Sequence, residues 1–491
     1  MPSPGVSNVI LTATNQFRLS SHKPDFYGSY GRLNLNTIAA GLTHAGFNRV
    51  AFTTPEGIGH PPDLERHSGA ILDCFARLGA GEDGAIIGIS TTTEEFYKYR
   101  ALTRMLKGSF PGSQIVAGGS HFVRERFDGY ENYRDPVEDA LMAGNTDAVV
   151  VGHAQPFVDF VVKHDGRKEE VETPGFYQLD PLSGKIVGHG RSGYPAVGEL
   201  PYNFREGTNS MDVLLSNVCR NGCDYCAGMK TSARPVFSVD MVVEGMKRAI
   251  KETGVDLVKF YDPNMFDPAS IGYYEDIFVR LDEGRPIRKH TYLDPAVLLS
   301  EEHKERVSRM LTKSMILYLF AGRDQVTEKG AALLGRRYHG RLKDQAMLDG
   351  ERDALKDLVG RAQEAHRWDS NAPERLLTLS YIVTHMETME TALAAYEDMM
   401  TFLAMDRPGI QVHIEISPLM PYPGTRVRKR HSDAIDLADF EFFRNAGDRL
   451  TPWKKDAGPG VELMRRAAFL HRANGAKKTV EEFREAIDQS F

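Results

Sequence analysis

Cysteine is scarce in this chain of 491 residues: there are four, and three of them, Cys219, Cys223 and Cys226, fall within eight positions. So few thiols exclude a disulfide-stapled fold, and a cluster of them points to a metal or redox site. A second C-x-x-C is missing, so the paired knuckles of a structural zinc site are not expected. Long apolar runs are missing too, none approaching the roughly 18 to 20 residues that cross a bilayer. Excess positive charge is also lacking. Lys and Arg total 60 against 67 Asp and Glu, a net charge of −7, which makes nucleic acid a poor default partner. The opening "MPSPGVSNVILTATNQF" carries no basic segment, long apolar stretch and small-residue cleavage site in succession, so a cytoplasmic protein is expected. Repeats and low-complexity tracts do not occur. What remains is long enough for two or three domains with buried cores.

The first stretch, 1–161, alternates strands with helices. "NVIL", "RVAFTT", "GAIIGIST", "SQIVAGGSH" and "DAVVVGHA" read as short buried strands, with "LNLNTIAAGLTHAGF" and "EEFYKYRALTRMLKGSF" among the helices between them. That rhythm predicts an α/β domain with a parallel sheet covered on both faces, binding ligands where loops leave the carboxyl ends of its strands. Residues 162–210 lose the rhythm in favour of Gly, Pro and charge, and read as a linker holding at most a small hairpin. A second α/β series follows over 211–430, with six strands from "DVLLSNV" to "IQVHIEISPL". Six strand–helix units predict a partial (β/α)6 barrel with its chemistry at the strands' carboxyl ends. The cysteine loop leaves the first of those strands. Residues 431–491 read as a helical cap. Cys74, alone in the other domain, reads as a buried small hydrophobe.

Three thiolates on a four-iron cluster leave one iron open, whereas full protein ligation uses four. The C-x3-C-x-aromatic-C pattern, with Tyr225 as the aromatic, resembles the radical S-adenosyl-L-methionine (radical SAM) superfamily. The resemblance implies a 4Fe-4S cluster on Cys219, Cys223 and Cys226, with SAM on the open iron and a 5′-deoxyadenosyl radical as the product of its cleavage. "VKFYDPNMF" resembles the family's second-strand end, which offers Asp262 and Asn264 to SAM. "LYLFAGRDQVTEKG" resembles its fourth-strand segment. There Arg323 follows Gly322 directly, so the acid of many relatives is taken as absent and Arg323 as reaching a carboxylate, ribose or phosphate. "LSYIVTHMETMETA" resembles the fifth strand and implies a backbone contact from Val383 to adenine. "ISPLMPYPGTRV" matches a sixth-strand element in which Pro421, Pro423 and Gly424 set a turn. His413 and Glu415 alternate with apolar neighbours on that strand, so they face either the lumen, as substrate or proton groups, or the helices.

The N-terminal loops resemble those of the cobalamin (B12)-binding, Rossmann-like domain that precedes many such enzymes. The implied contacts are Ser90, Thr91, Gly118, Gly119, Ser120, His121, Gly152 and His153. Two departures stand out: no D-x-H-x-x-G occurs, and the acidic "GEGE" pattern appears here as "GHAQP". Together these resemblances imply a cobalamin-dependent radical SAM methyltransferase acting on an unactivated carbon. The alternative is a radical SAM enzyme that rearranges, cyclises or oxidises its substrate without cobalamin. Either form implies a small-molecule or peptide substrate and an external flavodoxin- or ferredoxin-like electron donor.

Overall fold

The first unit is built on a sheet of order β2-β1-β3-β4-β5-β6-β7. The computed structural model describes residues 6–14, 26–53, 67–92, 96–125, 133–191, 197, 200–205, 210–216, 219–227, 237–368, 374–435, 453–454, 456–470 and 476–491. The chain divides into two units, the first running to Asn203 and the second from Phe204. In the first, β1 (Asn8–Ala13), β2 (Val50–Phe52), β3 (Ala85–Ser90), β4 (Gln114–Gly118) and β5 (Ala148–Val150) run parallel. The helices between and after them are α1 (Phe26–His44), α2 (Ser68–Arg77), α3 (Phe96–Ser109), α4 (Pro136–Met142) and α5 (Gln155–Val162). Every residue of β3 is buried, as a central strand covered on both faces must be. The five expected strands are all present.

Residues 162–210 are not the linker that their composition implied. β6 (Phe176–Leu179) and β7 (Ile186–Val187) extend the sheet antiparallel, with Ala148 opposite Gln178. Asp180 builds the turn between them, Oδ1 accepting from the Leu182 amide at 2.8 Å and Oδ2 from the Ser183 hydroxyl at 2.9 Å. The Pro, Gly and Asp content was therefore turn chemistry. Cys74 is only half-buried, its sulfur 3.1 Å from the Thr53 hydroxyl.

The second unit's sheet has the order β16-β15-β12-β11-β10-β9-β8. Its strands are β8 (Tyr202–Arg205), β9 (Ser210–Val213), β10 (Leu257–Phe260), β11 (Arg288–Leu293), β12 (Ile316–Asp324), β15 (Arg375–Val383) and β16 (Ile410–Pro418). From β9 to β16 every neighbouring pair is parallel. The helices α6 (Val239–Thr253), α7 (Ile271–Leu281), α8 (Glu301–Lys313) and α11 (Met389–Leu403) join consecutive strands. Between β12 and β15 lie α9 (Glu328–Leu334), the hairpin β13 (Arg337–Tyr338)–β14 (Arg341–Leu342) and α10 (Gln345–Trp368). Six parallel strands in strict sequence order make a singly wound sheet. Burial alternates accordingly: along β12, Leu317, Leu319 and Ala321 are buried while Tyr318, Phe320 and Gly322 are not. A short helix α12 (Arg426–Arg430) follows β16, and α13 (Val461–Leu470) and α14 (Ala476–Ser490) pack on each other and on β16. No helix among the described residues is long and apolar enough to cross a membrane.

Candidate functional site

The cysteine loop leaves β9 at its carboxyl end, and Asp262 pins its start. Asp262 is buried, accepting the Leu215 amide at 3.1 Å and the Tyr274 hydroxyl at 2.8 Å. Burial pushes its carboxyl up to about 7 despite those donors. Each carboxylate oxygen thus takes one donor from within the chain. A raised carboxyl binds its proton more tightly folded than unfolded, so its contribution to stability is full below pH ~4 and declines as pH rises through about 7. Asp262→Asn, which keeps an acceptor for Leu215, should flatten that decline between pH 4 and 8 in denaturant titrations. An unchanged slope would assign it to other groups.

Asp224, between Cys223 and Tyr225, is fully buried and ties the loop down. Its amide donates to the Gly335 carbonyl at 3.0 Å, and its own carbonyl accepts from the Val427 amide at 3.1 Å. Its carboxylate accepts from Arg337 at 3.4 Å, Arg426 at 3.0 Å and Arg430. Burial raises this carboxyl, but the three arginines outweigh it and hold the group below its ordinary range. Gly335 is required here: its φ is +59°, and a Cβ would run into the Asp224 carboxylate. Asp224→Asn should leave the three guanidiniums with half an acceptor. We expect faster amide exchange across 219–227 and a lower Tm at pH 7, the difference from wild type shrinking as acid protonates Asp224.

Among the thiols, Cys223 is buried and Cys219 and Cys226 half-buried. The Cys223 sulfur accepts the Arg337 amide at 3.2 Å, and the Cys226 amide donates to the Cys223 carbonyl at 3.4 Å. Burial pushes Cys219 up to about 12, with the neighbouring Cys226 and Cys223 adding to the rise, and pushes Cys223 up to about 11. A nucleophilic cysteine needs the opposite shift. Among the described residues no three His, Cys, Asp or Glu side chains stand ready-placed around a common metal position.

A ring of buried charge leaves this loop and returns to it. Asn221 donates to Asp294; Asp294 meets Lys343 at 2.8 Å, and Lys343 meets Glu351 at 2.6 Å. Glu351 meets Arg336 at 3.3 Å, Arg336 meets Asp324 at 3.1 Å, and Asp324 accepts the Tyr225 hydroxyl at 2.8 Å. Arg323 belongs to the same network, with Asp398 at 2.9 Å and Glu351 at 3.4 Å. It is 1% exposed, so it faces helices and not a ligand, contrary to the sequence reading. Alternation decides this: position 323 lies on the helix-packed face of β12.

Asp324 is the residue that the sequence reading missed. It stands two positions after Gly322, the spacing of the acid that the resemblance implied and that the sequence reading took as absent. A register shift between Gly322 and Asp324 and a φ of +46° turn it toward Tyr225. The Gly-x-Asp spacing was the signal, and the adjacent arginine obscured it.

Asn264 sits in the loop after β10, 6% exposed, and neither atom of its carboxamide has a hydrogen-bond partner among the described residues. A buried amide without partners is costly unless something else satisfies it. The neighbouring Asp267 meets His339 at 2.8 Å and lies 4.0 Å from Arg220 of the cysteine loop, so Asn264 and the thiols share one end of the sheet. Val383 offers less than expected, because its carbonyl already accepts the Leu419 amide at 2.8 Å. The Pro421 carbonyl likewise receives Arg428 at 3.4 Å, and Gly424 turns at φ +78° as its motif required.

His413 and Glu415 share the less-buried face of the sheet. Register pairs His413 with Thr378, Glu415 with Ser380, Phe320 with Thr378, Tyr292 with Phe320, and His290 with both Tyr318 and Lys259. Of the two orientations left open, this is the face opposite the apolar helix-packed one. Tyr292 packs between His290 at 5.4 Å and Phe320 at 5.3 Å, giving an aromatic floor with one acid beside it. Burial raises Glu415 above the usual carboxylate range and lowers His290 to about 4.

In the first unit the carboxyl ends of the parallel strands β1, β3, β4 and β5 lie at one end of the sheet, and several of the candidates there are engaged. The Thr91 hydroxyl bonds to that of Thr14 at 2.7 Å, and the Thr91 amide to the Gly118 carbonyl at 2.9 Å. Gly119 has φ +110°, and a Cβ there would strike the Thr91 carbonyl, so this glycine serves loop packing. His121 is fully buried, stacked on Phe96 at 3.9 Å. Ser90 is buried on β3, whereas Ser120 and Gly152 are exposed and His153 half-buried, with burial lowering it to about 4.

No family model matches the chain, and no curated protein does. Among solved structures it is similar to HydG, a maturase of the FeFe hydrogenase, at 15% identity and a TM-score of 0.31, covering 57% of this chain and 54% of that one. The chain thus spans about half the length of HydG. It is also similar to the first ketoreductase of the tylosin polyketide synthase, at 13% identity and a TM-score of 0.21 over 78% and 81% of the two chains. Likenesses this low carry nothing about activity.

Proposed function

We propose that the chain is a radical SAM enzyme in which Cys219, Cys223 and Cys226 hold a 4Fe-4S cluster and Asn264 contacts SAM. The observation that supports this is the meeting of a three-cysteine loop, in which Cys223 is buried, with the unpartnered Asn264 carboxamide at one end of a singly wound parallel sheet. When bound, the cluster supplies the electron that cleaves SAM to a 5′-deoxyadenosyl radical. The chain's own residues do the rest. The Arg337 amide steadies the Cys223 sulfur, as outer hydrogen bonds do for metal ligands. Asp224 and the Tyr225–Asp324 bond hold the loop's shape. The face of His290, Tyr292, Tyr318 and Phe320, with Glu415 and His413, takes a small-molecule or peptide substrate and keeps water from it.

Corrin-dependent methyl transfer to an unactivated carbon is the second part of the proposal. It is supported by the parallel strand order 2-1-3-4-5, which sets the strands' carboxyl ends at one end of the first sheet. Thr91, Gly119 and His121 also serve packing within the chain; Ser90, Gly118, Ser120, Gly152 and His153 complete the proposed contacts.

Anaerobic reconstitution followed by absorption and iron analysis tests both parts. We expect about four irons per chain, SAM-dependent formation of 5′-deoxyadenosine, and, on adding hydroxocobalamin, one corrin per chain. Iron uptake without corrin uptake sinks the methyltransferase part alone and leaves rearrangement, cyclisation or oxidation. Asn264→Ala should raise the SAM Kd on the order of tenfold with iron content unchanged, the loss of a hydrogen bond to a charged ligand; an unchanged Kd removes Asn264 from the site.

A further inference from the structure

Charge around the cysteine loop is sorted by burial. The buried ring sets Asp294, Asp324, Glu351 and Asp398 against Lys343, Arg336 and Arg323, so four negative charges less three positive leave −1. The clamp on Asp224 is the reverse. Arg337, Arg426 and Arg430 share its single carboxylate, and three positive charges less one negative leave +2. That makes a basic face on a chain of net charge −7. One bidentate arginine serves both oxygens of a carboxylate, so the second and third add charge more than they add hold. Lys429 and Asp433, exposed on the same segment, cancel each other.

The clamp stands directly against the thiols. Asp224 follows Cys223 in the chain, and Arg337 reaches both residues: its amide donates to Cys223 Sγ at 3.2 Å and its guanidinium to Asp224 at 3.4 Å. The β13–β14 hairpin fixes it there. The two turn residues, His339 and Gly340, take left-handed backbone at φ +48° and +82°. Their amides each donate to Asn221 of the cysteine loop at 3.3 Å, and the Gly340 carbonyl accepts Arg337 Nη1 at 2.9 Å.

We propose that Arg337, Arg426 and Arg430 are positioning residues that raise the reduction potential of a cluster held by Cys219, Cys223 and Cys226, an inference that rests on the reading of the loop as an iron–sulfur site. A four-iron cluster on three thiolates is anionic, and an added electron makes it more so. Net charge and hydrogen bonds to sulfur are among the properties that set such potentials. Positive charge one residue away therefore stabilises the reduced form more than the oxidised one, and the Arg337 amide on the Cys223 sulfur acts in the same direction. Asp224 holds the cations in place and cancels one of them. The Arg426 and Arg430 side chains are 60% and 45% exposed, so their share of the effect is open to screening by salt.

The test is a dye-mediated redox titration of the full-length reconstituted protein, read by the electron paramagnetic resonance signal of the reduced cluster. Arg426→Gln with Arg430→Gln should lower the ratio of reduced to oxidised cluster at a fixed potential on the order of tenfold, a midpoint about 59 mV lower for one electron. Asp224→Asn should move the midpoint upward, because it removes the counter-charge and leaves the cations. Opposite signs separate a field effect from damage, since loosening the loop moves both variants the same way. The downward shift should also shrink as salt is added. Iron bound with both midpoints unchanged, or both moved in one direction, overturns the proposal and leaves the reading of the loop intact. So does a shift that salt leaves unaltered. Where one variant takes up no iron, the sign and salt dependence of the other decide; if neither does, the clamp is structural and the proposal falls. Absence of iron in the reconstituted wild type overturns the underlying reading and the proposal with it.

Discussion

Cys223→Ala abolishes iron incorporation and reductive cleavage of SAM while leaving the fold intact; that is the largest effect expected of any single substitution in this chain. Cys223 is the most buried of the three thiols, and its sulfur accepts the backbone amide of Arg337, a residue outside the loop. Its removal takes one of the three proposed ligands, and two cysteines are too few to retain a cluster. The protein should stay folded, because Asp224 and not Cys223 ties the loop to Gly335, Arg426 and Arg430. The measurements are iron per chain, the visible absorption of the reconstituted protein, and 5′-deoxyadenosine formed under dithionite. Wild-type deoxyadenosine yield in this variant would refute the assignment outright. Loss of far-ultraviolet circular dichroism would instead show that the thiol is structural.

The second large effect lies in the buried ring. Lys343 is 1% exposed and Glu351 fully buried, and they meet at 2.6 Å. Lys343→Met leaves Asp294 and Glu351 facing each other through one fewer cation, and removing one partner of a buried pair typically costs about 3 to 5 kcal/mol. Glu351→Gln should cost a similar amount, since Arg323, Arg336 and Lys343 all lean on that carboxylate. Lys343→Met combined with Glu351→Leu should recover part of the loss, because an apolar pair avoids the unpaired charge. Urea titrations of the three variants decide it. Additive losses in the double variant would mean that the pair is not coupled and the ring is not a unit. Because the ring closes on Asn221 and Tyr225, the Lys343→Met protein should also lose affinity for iron.

Much of the architecture was legible beforehand because it is written in local periodicity. Runs such as "AIIGIS" and "IQVHIEIS" admit one reading each, and the six strands expected of the second sheet, which has seven, lie at or within a few residues of their expected positions. The β6–β7 segment read as a linker with a small hairpin because Pro, Gly and Asp mark a turn and a linker alike, and only pairing with β5 shows that it extends the sheet. Residues at the candidate site divided by the same logic. A thiol cluster needs no partner to be noticed. Arg323, Asp262, Thr91 and His121 looked like site residues because each stood in a suggestive motif. Their side chains also engage Asp398, Leu215, Thr14 and Phe96, residues far away in sequence.

By itself, then, the sequence determined the strand and helix order, the loop that carries the three thiols, and the glycine-and-proline turn at 421–424. Those depend on side-chain chemistry and short-range backbone preference, which the chain carries residue by residue. The tertiary structure alone decided which polar groups are spent and which are left over. Asp324 turned into the site through a shift in strand register, and Asn264 was left buried without a partner. The basic face arose because three arginines from two separate segments converge on one aspartate. Whether a charge is satisfied depends on what lies within about 3 Å of it, and that is set by packing between segments distant in sequence.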